Sequence, residues 1–351
     1  MQQNLDDPKI YAAMDPNHMG RSIATFPYQL EKGWEISGNL KALERVERSP
    51  SSILISGMGG SAIGGDLFRD LMRFQGFEVE VNRSYSLPPA GTGMLHIAIS
   101  YSGNTEETLS ATRKGIRKGI PTVAITSGGE LYSYCRSNDI PVISIPSGLQ
   151  PRASLGYIFS SILGISTVLG VHDFSDEIMD SIQDVRTVLS SIAPEVPAED
   201  NVSKQTAMHV GDRTPLIIAT SELSSVSLRM KTQFNENSKR FAWRITLPES
   251  NHNDWIPLME DVTLSGYACI LLEPIDAEPL LQRRVRVVEE LLSRRAELLR
   301  IASSGSSQMS RMLTYVARGD MASYYLAILH SIDPWPVHPI EELKRALASS
   351  K

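Results

Sequence analysis

Cysteine is nearly missing from this chain. Cys135 and Cys269 are the only two. They lie far apart, without metal-ligand or redox spacing, which excludes a disulfide framework and leaves both as expected core residues in a reducing cytoplasm. Positive charge is not in excess either: 34 Lys and Arg stand against 40 Asp and Glu, for a net charge of −6, so no nucleic-acid-binding surface is expected. No apolar run approaches the ~20 residues needed to cross a bilayer. The N-terminal Met1-Gln-Gln-Asn-Leu-Asp-Asp7 offers neither a basic n-region nor an apolar h-region. The expectation is a cytoplasmic protein without a membrane partner. What is present is the composition of a globular chain, 42% hydrophobic and 21% charged. Its 351 residues are too many for one ordinary core and point to two domains.

Two short glycine loops rich in hydroxyls stand out, each where an apolar strand gives way to a helix. One is Ser56-Gly57-Met58-Gly59-Gly60-Ser61-Ala62; the other is Ser100-Tyr101-Ser102-Gly103-Asn104-Thr105. Glycine lets the backbone approach an anion, the N–H groups freed there sit at a positive helix end, and serine and threonine add neutral donors. Neither loop contains lysine. This suits a small phosphorylated molecule held loosely enough to leave. The first loop also fits the loose dinucleotide pattern G-x-G-x-x-A, with Glu78 or Glu80 in the next strand. The second loop argues against that reading, because two strand ends converging on one anion make a monophosphate pocket at a topological switch point.

Around the loops, apolar runs alternate with amphipathic stretches. Strands are expected over 53–56, 78–82, 95–100, 122–126 and 141–145, with helices over 61–74, 105–118, 131–137 and 154–169. Parallel strands need crossover helices, so this order predicts an α/β fold of doubly wound parallel sheets flanked by helices. The opening stretch to about Glu47 reads as helical, broken at Pro16 and Pro27. Residues 171–202 turn helical and acidic, and the prolines of Ala193-Pro-Glu-Val-Pro-Ala-Glu-Asp200 belong to a linker. Strands return over 215–219, 241–245, 268–272 and 298–301, with helices over 223–237, 281–297, 311–333 and 340–349, as though the first half were repeated without its glycine loops. The expected division is 1–195, a helical extension plus the loop-bearing domain, and 196–351, a second such domain with C-terminal helices. The arginine-rich stretch 283–295 alternates with leucine and glutamate at helical spacing and reads as a solvated helix face.

The two loops resemble those of sugar isomerase (SIS) domains, which hold phosphosugars. Pro151-Arg152-Ala153-Ser154, Phe234-Asn235-Glu236-Asn237-Ser238-Lys239, Leu247-Pro248-Glu249 and His252-Asn253 are similar to segments of the archaeal-type bifunctional phosphoglucose/phosphomannose isomerases. So are Gly319-Asp320, Ser323-Tyr324, Asp333-Pro334 and Ile340-Glu-Glu-Leu-Lys344. These matches span most of the chain in the expected order. The resemblance implies two SIS-like domains with the substrate between them and a homodimer that completes each site. It also implies interconversion of glucose 6-phosphate and mannose 6-phosphate with fructose 6-phosphate, by ring opening and enediol proton transfer.

By that resemblance, Glu236 is the base that moves a proton between adjacent carbons. Arg152 follows a proline shortly after a strand, and its always-charged guanidinium suits stabilisation of the enediolate oxygen. His252, with a reference pKa of ~6.5, is implied in ring opening, reaching the site from the partner subunit. Lys344 is implied as a second ring-opening group. For the hexose phosphate, Ser61, Ser100, Ser102 and Thr105 supply hydroxyls, and Gly59 and Gly60 supply close backbone. No metal or cofactor is expected, since His252-Asn-Asp254 lacks a helical i,i+4 ligand pair. Bulky Trp335 and His338 near the expected substrate end are a departure that bears on whether both C2 epimers fit. Two rival readings share the loops: a phosphosugar-binding sensor and an aminosugar-phosphate isomerase or deaminase. Against the first, no basic helix-turn-helix candidate is present; against a glutamine-dependent synthase, no glutaminase-type N-terminal cysteine is present.

Overall fold

The chain opens with three helices, α1 (Lys9–Met14), α2 (Met19–Ala24) and α3 (Phe26–Gly38), in a computed structural model that describes residues 3–38, 41–46, 49–89, 91–260, 264–274 and 276–349. Pro16 separates the first two, as expected. Pro27 does not break the third; it is the second residue of α3, where a missing N–H costs nothing because first-turn donors have no intrahelical acceptor. The expected helical limit at Glu47 lies outside the described residues.

The first sheet is built from β1 (Ser52–Ser56), α4 (Gly59–Met72), β2 (Glu78–Asn82), β3 (Met94–Ser100), α5 (Glu106–Arg117), β4 (Thr122–Thr126), α6 (Gly129–Ser137) and β5 (Val142–Ser144). Its strands are parallel in the order β2-β1-β3-β4-β5, with Ile53 opposite Val79 on one side and Leu95 on the other. The direction of winding reverses between β1 and β3, so the loops leaving those strands open at one edge. Strands β1 and β4 are buried throughout, which is why they read as unbroken apolar runs rather than alternating ones.

Helices α7 (Leu155–Val168), α8 (Ser175–Ser191) and α9 (Val202–Val210) lead to the second sheet. That sheet contains β6 (Thr214–Thr220), α10 (Ser224–Asn237), β7 (Trp243–Leu247), α11 (Trp255–Glu260), β8 (Tyr267–Leu272), α12 (Pro279–Leu292) and β9 (Leu298–Ile301). It too is parallel, ordered β7-β6-β8-β9. Helices α13 (Gln308–Leu329) and α14 (His338–Ser349) follow. Several expectations shift: the strand expected over 241–245 is Trp243–Leu247, and the helix expected over 311–333 is Gln308–Leu329. Helix α12 stops at Leu292 instead of 297, where the Leu292 carbonyl accepts from Arg295 N at 2.8 Å and turns the chain. Helix α11 is new; at six residues with a proline inside, it is too short to show a period. Among the described residues no helix is long and apolar enough to cross a membrane.

One hydrophobic core runs through both halves, from Phe68 and Phe159 beside the first sheet to Phe234 and Ile270 beside the second. Helix α13, buried almost all round, packs against α8, α9 and α10 and joins them. Helices α3 and α7 touch through glycine: a Cβ on Gly33 would lie 2.6 Å from the Tyr157 carbonyl oxygen, too close for any side chain. Across the two sheets α4 and α10 lie antiparallel. Asp70, near the end of α4, accepts from Ser225 N at the start of α10 over 2.7 Å. The opposite ends of these two helices meet at the candidate site.

Candidate functional site

The two glycine loops are tied to each other. Gly59, at φ +48°, makes the left-handed turn that opens α4. Ser61 is buried, and its Oγ accepts from Tyr101 N in the second loop at 3.1 Å. Ser100 Oγ lies 2.9 Å from Thr105 Oγ1, and exposed Ser102 accepts from Asn104 N at 3.3 Å. The structure thus brings all the expected loop residues together, at the N-termini of α4 and α5, where free N–H groups and helix dipoles favour an anion. A third loop, not anticipated, braces the second: Ser127 donates from N and Oγ to the Tyr101 carbonyl at 3.0 and 2.6 Å. Gly103, at φ +71°, sits against Gly128. The available signal was Ser127-Gly128-Gly129 directly after β4.

The cradle meets the arginine turn at Gly60, where a Cβ would lie 2.8 Å from the Pro151 carbonyl oxygen. Pro151–Ala153 is a 3₁₀ turn, and the Arg152 side chain is buried. Its donors are largely committed. Nε donates to Asn237 Oδ1 at 2.6 Å, and Nη2 donates to the carbonyls of Pro334 and Trp335 at 2.7 and 2.9 Å. Only Nη1 is loosely held, 3.5 Å from Gln150 Oε1 and 3.5 Å from Glu236 Oε2. Burial lowers the guanidinium's pKa and Glu236 opposes that shift; arginine stays cationic regardless. Glu236 lies in the last turn of α10, half-buried, with its carboxylate toward Arg152.

Residues that the sequence left unassigned hold this pair. Asn237 Nδ2 donates to Ser323 Oγ at 2.9 Å, and Ser323 donates to the Asp320 carbonyl at 2.7 Å. Arg229 donates to the Arg152 carbonyl at 2.5 Å and forks onto the Asp320 carboxylate at 3.0 and 2.6 Å. Burial raises the Asp320 pKa, and Arg229 opposes the rise. Lys239 donates from Nζ to the Glu236 carbonyl at 2.6 Å and the Pro334 carbonyl at 3.2 Å. Burial of its ammonium, reinforced by Arg152, brings that group down to about 8.

His252 and Lys344 are not part of this cluster within one chain. Both are exposed, and neither makes a hydrogen bond or ion pair with Glu236 or Arg152. The Trp335 carbonyl accepts from Arg152 Nη2, while His338 opens α14 and faces Glu341 at 3.4 Å. Among the described residues no three His, Cys, Asp or Glu side chains are placed to share a metal. Both cysteines are buried, with thiols pushed up to about 11 by burial.

The arrangement offers an anion cradle, a carboxylate and a guanidinium within one small region. Comparison with known proteins adds to it. Residues 48–145 match the SIS domain, and residues 199–347 match the bacterial phospho-glucose isomerase C-terminal SIS domain. A bifunctional phosphoglucose/phosphomannose isomerase of Caldicellulosiruptor bescii is 35% identical over 339 residues, covering 95% of this chain and 100% of that protein. One from Thermoplasma acidophilum is 33% identical, covering 85% of this chain and 90% of its own length. Among solved structures, a hypothetical protein of Thermus thermophilus superposes with a TM-score of 0.77 at 15% identity, over 97% of this chain and 92% of that one.

Proposed function

We propose that this chain, which belongs to the bifunctional phosphoglucose/phosphomannose isomerase family, interconverts glucose 6-phosphate and mannose 6-phosphate with fructose 6-phosphate. The observation that carries the reading is the Arg152–Glu236 pair, 3.5 Å apart, beside a cradle that joins the arginine turn at Gly60. The hydroxyls of Ser61, Ser100, Ser102 and Thr105 and the backbone at Gly59 and Gly60 hold the phosphate. With the ring open, Glu236 takes the proton from C2 of the aldose and returns it to C1, while the O2 hydroxyl proton passes to O1, which gives the ketose. A positioned base of this kind contributes about 10²–10⁴-fold. Arg152 Nη1, its one loosely held donor group, faces the oxygen that becomes negative in the enediolate.

Ring opening falls to His252 and Lys344. Their exposure in a single chain supports a homodimer in which the partner's His252 completes the site. In this reading the enzyme is a cytoplasmic dimer, with the cradle on a unit of residues 1–195 and the base on a unit of 196–351. The test is turnover of fructose 6-phosphate in EDTA, with both aldoses assayed separately, for the native protein and Glu236→Gln. Formation of both products, lost in the variant while fructose 6-phosphate still binds, is the expected result. Tight binding without turnover by the native protein would make it a sensor, and ammonia release from glucosamine 6-phosphate would make it a deaminase. An unchanged rate in Glu236→Gln would overturn the base assignment.

A further inference from the structure

Between β5 and the arginine turn the chain runs Ile145-Pro146-Ser147-Gly148-Leu149-Gln150. Pro146, Ser147 and Gly148 are exposed, so little burial fixes this stretch. It nevertheless leads straight into Pro151 and Arg152, and its path decides where the guanidinium stands. Its two ends are pinned by the backbone. Ile145 N donates to the Thr126 carbonyl at 3.0 Å, and the Gln150 carbonyl accepts from Ala153 N at 2.8 Å.

The middle is held by one side chain. Pro146 and Leu149 are the first and fourth residues of a turn whose third, Gly148, has φ +97°. At that spacing a turn ordinarily closes with a bond from the fourth N–H to the first carbonyl. Here the Tyr101 hydroxyl stands in the place of that bond. It donates to the Pro146 carbonyl at 3.0 Å and accepts from Leu149 N at 3.0 Å. A phenol has one proton to give and lone pairs to receive another, so both bonds coexist. The Tyr101 ring is 6% exposed, and Leu149 packs against the core beside it. The Tyr101 backbone belongs to the second glycine loop, with its N–H on Ser61 Oγ and its carbonyl on Ser127. One residue thus fastens both glycine loops and the loop after β4 to the turn that precedes Arg152.

We propose that Tyr101 is a positioning residue for the isomerisation: its hydroxyl holds the 146–149 turn open and so sets Arg152 at a fixed distance from the cradle. The phosphate and the reacting carbons lie at opposite ends of the open-chain hexose. A rigid tie between cradle and arginine lets binding at one end place the other. The Gly60–Pro151 contact limits how closely cradle and arginine turn approach, and the two Tyr101 hydrogen bonds limit how far they part. Without the hydroxyl, Leu149 N and the Pro146 carbonyl are left to each other. The turn then tightens and draws the chain leading to Arg152 with it. The proposal rests on the isomerase reading above and goes beyond it by naming what positions its arginine.

Tyr101→Phe removes the hydroxyl and keeps the buried ring. The kcat for fructose 6-phosphate should fall at least about tenfold, while the Ki of inorganic phosphate as a competitive inhibitor stays within about twofold of the native value. In an Arg152→Ala background there is no guanidinium to place, so adding Tyr101→Phe should change kcat by less than about twofold. An unchanged kcat in Tyr101→Phe overturns the proposal, and so does an equal loss with and without Arg152. A phosphate Ki that rises as far as kcat falls also overturns it, by assigning the hydroxyl to the cradle itself. A native rate in Arg152→Ala is a different failure: it removes the arginine from the reaction and Tyr101 with it. Gly148→Ala approaches the same turn independently of the buried ring. Its Cβ meets no atom within 4 Å, but alanine is strained at φ +97°. It should lower kcat in the native background and not in Arg152→Ala; a native kcat in Gly148→Ala would count against the turn as the link.

Discussion

Arg152 and Lys239 donate to the same oxygen, the carbonyl of Pro334, at 2.7 and 3.2 Å. Two cations thus converge on one acceptor at the start of the segment that leads to α14. Glu236 faces the first of them through its carboxylate and receives the second on its carbonyl. The site residues and the mouth of the C-terminal segment are therefore one connected hydrogen-bonded unit.

Lys239 makes this unit sensitive to alkali. Its ammonium titrates at about 8 because burial, helped by Arg152, disfavours the charge. The cation is present below that pH and lost above it, so kcat/KM should fall through an alkaline limb near pH 8. Lys239→Arg keeps the charge and should move that limb up by more than about one unit. Lys239→Met should lower activity at neutral pH and erase the limb. A pH profile of the three proteins decides the matter; an identical limb in all three would remove Lys239 from the account.

Asn237 is the positioning residue for Arg152, holding Nε from one side while Ser323 holds its amide from the other. Asn237→Ala should cut kcat by about 10- to 100-fold through misplacement of the guanidinium, with KM moved far less. Ser323→Ala should have the same signature at smaller size. A loss confined to KM would mean that Asn237 serves binding alone.

Gly60 is where the proposed phosphate cradle touches the arginine turn. Gly60→Ala places a carbon 2.8 Å from the Pro151 carbonyl, so the two must separate. The expected cost is about 1–3 kcal/mol of stability, measured by urea unfolding, together with a raised KM for fructose 6-phosphate. Gly59→Ala meets no neighbour within 4 Å but forces alanine to φ +48°, which gives strain without that contact.

His96 sets an acid limit on stability. It is fully buried in β3 with Nε2 2.9 Å from Ser56 Oγ, and burial holds its pKa at about 4 against the usual 6.5. The unfolded chain therefore takes up this proton first, and stability falls as the pH drops from 6.5 toward 4. Between pH 7 and 5 the loss from this residue should be about 2 kcal/mol. His96→Asn should flatten that part of the profile, as read by denaturant unfolding at several pH values. A wild-type slope preserved in the variant would assign the acid limit elsewhere.

Both sheets were readable from apolar runs such as 53–56 and 268–272, because strands buried on both faces need no alternation to declare themselves. Pro27 and the 293–297 segment misled in opposite directions. Proline tolerates a helix's first turn, and a run of arginine and glutamate keeps a helical period after the helix has stopped. Of the candidate site, the loops and the Arg152 and Glu236 motifs were visible locally. The roles of Asn237, Ser323 and Asp320 were not, since they arise where α13 crosses α10, about ninety positions along the chain, and no local pattern marks such a crossing. The conventional search at the strand ends of the second sheet would also have missed Glu236, which stands at the far end of α10, where β6 begins.

The burial of α13 bears on how the protein is made. This helix packs on α8, α9 and α10 and reaches α1 and α2 as well, and the Leu329 carbonyl accepts from Gln3 N at 2.9 Å. It emerges from the ribosome only after both sheets have been synthesised. Until then each sheet lacks part of its cover, and the earliest helices lack the surface on which they will finally rest. The two halves should therefore reach their native packing in one late step rather than in succession, with the nascent chain most exposed to aggregation and to chaperone capture just before residue 329 is released.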